Sequence, residues 1–562
     1  MLYKLIAFNA RFTHSCLALF YVRAALEDNL PDCHPEIKQY TINDPYYPTL
    51  RDIGSGEPAA LFFSVYIWNS IYIQRLVVDL VGLLPGTPII LGGPQAGALA
   101  RDLDPEVSRL CTLVEGEIEG IEKLFYQELS DKNLQKKYGC AKMETFKSPY
   151  RQDDFSGPLK NRHVYYESSR GCPFGCTYCL SASGKGVRHL PVSQVQAEIK
   201  KILACSPKVI RFVDRTFNDL PERALDIWRF LVEHPGETLF HFEMAPDRFT
   251  EEMFEFLKHV GPGRFQFELG IQSTNPQTLE AINRKCDLAK LEPNVGKLVS
   301  LESIHIHLDL ILGLPHDDRE SFARSFRDVF RLGPHYIQMG LLKVLPDTPI
   351  SKEVEAYGLV VCKSPPYEIL ANRWLHRNEL EELFWFGECV ERFFNNRFFR
   401  SFWNYLRRTD EDIFSFFEAL LTLCKEKNFF DLAGTQELMS SLLLELTGGR
   451  ADKGLVKELL IFDWLRCGLR FLADHLEQEP LPIHKKKLWK QMPQNWDGIY
   501  DYKGRDEFFK QGVFVPFSEE LMQEIGLLDE GGTAYLCFLA NRENAVFRLN
   551  CYLHIPGSIL GS

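Results

Sequence analysis

No stretch of this 562-residue chain stays apolar for the ~18–20 positions that a membrane-spanning helix needs. The opening segment, Met1 to Asn9, is too short for a signal peptide and lacks its flanks, and it reads as a first strand. Positive charge is not in excess either. Lys and Arg number 64 against 76 Asp and Glu, a net charge of −12. That balance argues against broad nucleic-acid binding through phosphates, while leaving room for a local basic groove. Internal repeats and low-complexity tracts are missing, so a solenoid is not expected. Cysteine is plentiful at 15, but only three are regularly spaced. The odd count, without a secretory signal, points to free thiols in a reducing cytoplasm. A hydrophobic content of 45% and a charged content of 25% describe an ordinary globular chain long enough for two to four domains.

The three spaced cysteines lie in Gly171-Cys172-Pro173-Phe174-Gly175-Cys176-Thr177-Tyr178-Cys179. The glycines and the proline disfavour a helix, so the loop can wrap its thiolates around one centre. Three thiolates are one short of the four that usually hold a [4Fe–4S] cluster, which leaves one iron open to an outside ligand. A structural zinc site is the competing reading. Zinc takes four closed ligands and usually pairs C-x2-C units, and no second C-x2-C or H-x3-H follows here.

This C-x3-C-x2-C spacing, with Tyr178 just before the last cysteine, resembles the radical S-adenosylmethionine (SAM) superfamily. The resemblance implies that Cys172, Cys176 and Cys179 hold a [4Fe–4S] cluster whose open iron binds SAM. It also implies that an electron from the cluster splits SAM into methionine and a 5′-deoxyadenosyl radical.

Residues 1–135 alternate strand-like and helical runs. Strands are expected at Lys4–Phe8, Ile37–Thr41, Ala60–Val65, Pro88–Leu91 and within Val107–Val114, and helices at Ser15–Leu30 and Ser70–Leu84. Repeated strand–helix units imply a doubly wound parallel sheet, whose ligands bind beyond the carboxyl ends of the strands. Small and polar residues gather there: Asn9–Ser15, Ser64–Asn69, Gly92–Gly97 and Glu115–Glu117. Gly92-Gly93-Pro94 together with Glu115-Gly116-Glu117 resembles the Rossmann-like cobalamin-binding domain that precedes the radical SAM domain in one large subfamily. The resemblance implies that Gly92, Gly93 and Gly116 approach cobalamin. The subfamily's optional Asp-x-His-x-x-Gly motif is missing. Asp32-Cys33-His34 lacks the glycine and precedes the second strand, so His34 reads as a surface histidine. His14, after the first strand, is better placed, but it reads as a polar turn residue ahead of a cobalt ligand. Trp68 could face a ligand or fill the core.

Residues 136–160 read as a polar linker. Residues 161–355 then resume the alternation. Strands are expected at His163–Ser169, Val209–Val213, Thr238–Glu243, Arg264–Leu269, Ile304–Ile311 and Tyr336–Val344. Six strand–helix units suggest a partial (β/α)6 barrel with its chemistry at the carboxyl ends of the strands. The strand-end segments resemble the SAM-contacting motifs of radical SAM enzymes. By that resemblance Asp214, Asn218, Glu243, Gln272 and Ser273 bind SAM, and the Gly313-Leu314-Pro315 and Leu345-Pro346 segments surround its adenine. The bland alternatives are a helix cap at Asp214 and a Glu243–Arg248 ion pair. His305 and His307 alternate along the fifth strand and should share a face.

From residue 360 to 562 the alternation stops. Arg373–Leu421, Gln436–Leu446 and Leu455–Leu476 read as mainly helical, with aromatic stripes (Phe384, Trp385, Phe393, Phe394, Phe398, Phe399) expected to be core. Short strands are expected at Val513–Phe517, Thr533–Leu539 and Ala545–Leu549. This segment resembles an uncharacterised C-terminal domain of one cobalamin–radical SAM group.

The whole is similar to the cobalamin-dependent radical SAM family. That implies an α/β chain with a [4Fe–4S] cluster, SAM and cobalamin as cofactors, and methylation of an unactivated carbon. It also implies an electron donor such as flavodoxin or ferredoxin. The substrate is unknown, and catalytic residues beyond the cofactor ligands are not assigned. A rearrangement or oxidation without methyl transfer, a sheet that no longer binds cobalamin, and a zinc-stabilised binding protein stay open.

Overall fold

A computed structural model describes residues 1–183, 186–409, 411–477, 512–527, 534–538 and 552–555. The chain falls into two compact units. One comprises Met1–Lys297, Gly313–Asp318 and Leu341–Arg377; the other comprises Leu298–Leu312, Arg319–Gly340 and Asn378 onward.

The first unit opens with six parallel strands: β1 (Leu2–Asn9), β2 (His34–Thr41), β3 (Ala60–Ser64), β4 (Ile89–Gly92), β5 (Cys111–Glu115) and β6 (Lys137–Gly139). Their order in the sheet is β2-β1-β3-β4-β5-β6. Because side chains alternate across a strand, β1 sends Tyr3, Leu5 and Ala7 to one core and Ile6 and Phe8 to the other. Leu19, Leu26 and Phe125 from helices cover the first face; Ile73, Leu76 and Leu80 cover the second. Each buried Leu, Ile or Phe among these contributes about 1.5–3 kcal/mol, and burial on both faces accounts for the near-continuous apolar runs of β1 and β3. The doubly wound sheet is as expected. Elements not anticipated include the helices Tyr46–Gly54, Ala96–Asp102 and Lys123–Ser130, and β6, which lies within the expected linker. In this strand order the switch point falls between β1 and β3, and ligand crevices form there.

The same unit carries four more parallel strands, in the order β12-β11-β10-β7: β7 (Val164–Tyr166), β10 (Val209–Phe212), β11 (Leu239–Met244) and β12 (Phe265–Gln272). A short antiparallel pair, β8 (Ser169–Gly171) and β9 (Val187–His189), brackets the cysteine loop. On one face Phe212, Phe240, Phe242, Phe265 and Phe267 are buried around Trp228 of the helix Pro221–Glu233. The other face carries Arg211, His241, Glu243 and Glu268, so polar residues alternate with aromatic ones along each strand.

The second unit holds the expected fifth and sixth strands, β13 (His305–Leu312) and β14 (Tyr336–Leu341, through Gly340), which lie side by side with the helix Arg319–Arg331 between them in sequence. Helices follow at Arg377–Val390, Arg400–Arg408, Ile413–Glu426, Gln436–Thr447 and Lys453–Arg466, and one π turn at Glu391–Asn395. The expected helix Leu455–Leu476 is therefore shorter: it stops at Arg466, and Gly468 follows in the left-handed region at φ +82. The aromatic stripes are largely core. Phe393, Phe399, Phe402 and Trp403 are buried, and Trp403 stacks on Phe417 at 4.8 Å, whereas Phe384 is exposed. Val513–Phe517, Ala534–Phe538 and Tyr552–Ile555 form an antiparallel sheet. The strand expected at Ala545–Leu549 lies outside the described residues.

Candidate functional site

The cysteine loop leaves β8 through Gly171, which has φ +105, a conformation L side chains rarely adopt; a Cβ there would also collide with the Gly186 carbonyl. The loop is then fixed from both sides. Thr177 N–H donates to the Ile282 carbonyl at 2.9 Å, and the Thr177 carbonyl accepts from Ile350 N–H at 3.0 Å. Asn283 Nδ2 donates to the Gly175 carbonyl at 2.8 Å. Cys176 is buried, while Cys172 and Cys179 are partly exposed. The three thiols share one neighbourhood: burial first, and then Cys179 and Cys176, push the Cys172 thiol up. Two groups offer compensation. Thr216 Oγ1 lies 3.7 Å from Cys172 Sγ, and Arg284 Nη1 lies 3.7 Å from Cys176 Sγ. Phe174 sits near two guanidiniums, with Arg248 at 5.0 Å and Arg284 at 5.6 Å from its ring centre. Among the described residues, no three His, Cys, Asp or Glu side chains come together as a single-metal site. Three thiolates are one short of the four ligands that close a zinc site, whereas on a [4Fe–4S] centre they would leave one iron open.

Glu243 lies beside this loop's partners. Its carboxylate is 3.8 Å from Arg215 Nη1, and about a third of the side chain stays accessible. Burial by the surrounding walls, only partly offset by Arg215, raises its pKa to about 7. Glu243 pairs with Arg215 rather than with Arg248, which instead binds Asp219 at 2.6 Å. Gln272, at the end of β12, has φ +74, and its carboxamide folds over Gly270 so closely that a Cβ on Gly270 would collide with it.

Asp214 and Asn218 do positional work. Asp214 is fully buried and accepts from Ser168 N–H at 3.0 Å and from the hydroxyls of Ser168 and Ser169 at 2.6 Å each. It thereby holds the strand that delivers Cys172, and it does not cap a helix. Asn218 clamps Ala245 beyond β11, donating to its carbonyl and accepting from its N–H, both at 2.8 Å. Ser273 is buried, and its Oγ accepts from Asn275 N–H at 3.1 Å.

At the first sheet, Gly93 has φ +101, and a Cβ on it would lie 2.7 Å from the Val65 carbonyl oxygen. Gly92 O accepts from Val65 N–H at 2.8 Å. Gly116 packs against Cys140, 3.1 Å from where its Cβ would stand. Gly93 and Gly116 let neighbouring strand-end loops close on one another, whereas a Cβ on Gly92 would meet only ordinary contact. Trp68 is 46% exposed, stacks on Tyr66 at 4.4 Å, and donates its indole N–H to the Phe8 carbonyl at 3.1 Å. It therefore bridges β1 and the segment after β3 at the switch point and is not core. His34 is exposed and begins β2, not the loop before it. His14 Nδ1 lies 2.8 Å from the Tyr165 hydroxyl, and burial, then Arg211 and Arg11, lower its pKa. In the second unit His305 and His307 share a face, as their spacing predicts, with ring centres 4.7 Å apart.

Sequence reasoning missed three groups. Arg170, one-tenth exposed, binds Glu117 and Glu119 from the first sheet's edge at 2.8 Å each, and Glu167 at 2.9 Å. Arg188 of β9 also binds Glu117. Opposing burial, Arg188, the Met143 N–H and Arg170 hold the Glu117 carboxyl below its ordinary value. Deeper between the strands, His241 Nε2 lies 3.1 Å from Arg211 and 3.0 Å from Glu268. The signal for that cluster was present in β11, where Phe240-His241-Phe242-Glu243 alternates apolar with polar.

Residues 166–329 match the radical SAM superfamily model, and residues 355–507 match a protein family of unknown function, DUF4080. The chain carries a radical SAM domain. It is 26% identical to the 2-(S-pantetheinyl)-carbapenam-3-carboxylate methyltransferase of Streptantibioticus cattleyicolor, over 65% of this chain and 61% of that one. It is 25% identical to the cobalamin-dependent radical SAM methyltransferase TokK of Streptomyces tokunonensis, over 54% and 50%. The chain thus spans between half and two thirds of the length of these relatives. Its fold is similar to that of OxsB, a cobalamin-dependent SAM radical enzyme solved with aqua-cobalamin and SAM (TM-score 0.57, 14% identity, 84% of this chain and 82% of that one). It also resembles the radical SAM methyltransferase TsrM of Kitasatospora setae, solved with tryptophan and a SAM analogue (TM-score 0.52, 15% identity, 65% and 79%).

Proposed function

We propose that this chain is a cobalamin-dependent radical SAM enzyme that methylates an unactivated carbon of a substrate still to be identified. The observation that carries the reading is the three-thiol loop fixed against strand-end segments of a parallel sheet, in a domain matching the radical SAM superfamily. When bound, the cluster and SAM supply a carbon-centred radical and cobalamin supplies the methyl group.

The chain's own residues then have separable roles. Cys172, Cys176 and Cys179 ligate three irons. Arg284 and Thr216 stabilise the thiolates of Cys176 and Cys172 from 3.7 Å. Glu243 accepts hydrogen bonds from the amino group or ribose of SAM, and Gln272 and Ser273 shape the β12 edge of that site. Asp214 and Asn218 position the strand ends that bear these groups. Gly92, Gly93 and Gly116 keep the first sheet's carboxyl edge low enough for a large flat cofactor, and Trp68 lies across its switch point. An electron donor of the flavodoxin or ferredoxin type and a cytoplasmic location complete the reading. Among the described residues no helix is long and apolar enough to cross a membrane.

The test is anaerobic reconstitution with iron and sulfide, followed by SAM and a low-potential reductant. The reading expects about four irons per chain and formation of 5′-deoxyadenosine that Cys176→Ala abolishes. Zinc without iron, or undiminished 5′-deoxyadenosine from Cys176→Ala, would overturn it. Cobalamin added to the same preparation should be retained through gel filtration; its loss would leave a radical SAM enzyme without that cofactor.

A further inference from the structure

The second unit contains a cavity of about 80 Å³ lined by Val299, Glu302, Gly333, His335, Phe394, Arg397, Arg400, Trp403 and Arg407, among others. It lies at the amino ends of β13 and β14: Glu302 precedes β13, and Gly333 and His335 precede β14. In β/α folds the chemistry occupies the opposite, carboxyl ends, so this cavity is distinct from the site described above.

Its charge is one-sided. Three guanidiniums face a single lining carboxylate, Glu302, which is 77% exposed and stands 3.9 Å from Arg400. Arg407 donates to the Asn404 carboxamide oxygen at 2.8 Å. Its guanidinium lies on Gly333, where a Cβ would come within 2.5 Å of Nη1. His335 adds an oriented donor. Its Nδ1 accepts from Ile306 N–H at 3.0 Å, which leaves the proton of the neutral ring on Nε2. Burial, and then Arg397, Arg400, His307 and Arg407, hold its pKa well below the ordinary value. Burial lowers Arg407 too, with Arg408 and Arg400 adding to the effect. Clustered like charge in a partly desolvated recess is costly unless something of opposite sign compensates it.

We infer that this cavity is a binding site for a phosphoryl group, held by Arg397, Arg400 and Arg407 with His335 Nε2–H as a further donor. The lining carries more guanidiniums than carboxylates, and a phosphate monoester brings charge of the opposite sign. The planar guanidinium fork matches phosphate oxygens in pairs. On the same measure one water needs only about 10–15 Å³, so the recess has room for a tetrahedral oxyanion, while Val299, Phe394 and Trp403 supply an apolar wall for the group it is attached to.

The experiment is calorimetric titration of the whole chain, cluster reconstituted, with inorganic phosphate and separately with glycerol phosphate, at constant ionic strength set with chloride. The expected result is saturable binding of one anion per chain, weakened about tenfold or more by Arg407→Met and by Arg400→Met. Arg324→Met, at an exposed position of the helix Arg319–Arg331, should change nothing. Tighter binding of glycerol phosphate would identify an esterified ligand, and equal binding free phosphate; either supports the site. Phosphate held no better than acetate, or unaltered affinity in both arginine variants, would overturn it. Should Arg407→Met fail to fold by circular dichroism, the part-exposed Arg400→Met decides alone. None of these readouts depends on SAM cleavage, so the outcome is independent of the proposed activity.

Discussion

Arg170 lies two residues before Cys172, and its guanidinium reaches Glu117, 53 positions earlier, at 2.8 Å. Through this contact the carboxyl edge of the first sheet holds the strand that presents the cysteines. Glu119 and Glu167 complete the anionic ring, and Tyr21 and Phe146 lie under the guanidinium at 4.9 and 4.2 Å.

Removing that cation should be costly. Arg170→Met leaves Glu117, Glu119 and Glu167 facing one another, with Arg188 as the remaining cation on Glu117. A loss of about 3–5 kcal/mol is expected, as for other broken buried pairs, read as a lower urea midpoint at unchanged slope. Iron incorporation on reconstitution should fall as well. A midpoint within error of the parent would mean that the ring does not hold the loop.

Glu243 predicts a pH dependence whose sign follows from its raised pKa of about 7. The native state keeps a proton that the unfolded chain releases near pH 4.5. Stability is therefore fully present below that value and declines as pH rises through 7. Glu243→Gln should flatten this part of the melting temperature profile between pH 5 and 8. An unchanged slope in the variant would assign the dependence elsewhere.

In the second unit, Asp463 and Arg466 are both fully buried, 3.1 Å apart. Asp463 also accepts from Ser401 N–H and Phe402 N–H at the start of the helix Arg400–Arg408. Asp463→Ala removes both the charge partner and these acceptors and should cost about 3–5 kcal/mol. Pairing it with Arg466→Met should recover part of the loss, because no isolated charge then remains buried. Equal destabilisation by the single and double variants would contradict the ion-pair account.

Two glycines should respond oppositely to alanine. Gly93→Ala places a Cβ 2.7 Å from Val65 O at φ +101, and a loss of about 1–3 kcal/mol is expected. Gly82, in the helix Ser70–Leu83, has open space around its Cβ position, and alanine there should stabilise by about 0.5–1 kcal/mol. Thermal melts of the two variants would check the contrast.

The elements that were legible were those written in local periodicity. Nearly every strand of the two parallel sheets was placed to within a few residues, because strands buried on both faces read as continuous apolar runs and those buried on one face alternate. The helix Tyr46–Gly54 escaped because Pro48 lies in its first turn and mixed polarity obscured its stripe, with only Thr49 and Ile53 buried. The strand β6 escaped because Lys137-Tyr138-Gly139 is a polar edge strand with one buried side chain. The helix ending at Arg466 was overextended although Cys467-Gly468 carries a recognisable stop.

By itself the sequence determined the three-cysteine spacing, the order of strands and helices and most of the strand ends. All of these depend on residues within a turn or a strand of one another. Only the tertiary structure decided that Arg215, and not Arg248, meets Glu243, that Asp214 is occupied by Ser168 and Ser169, and that Arg170 joins the sheet edge to the cysteine loop. The reason is physical. A charged side chain far from its partner in sequence carries no local pattern, and its pairing is fixed by which strand ends the buried cores bring together.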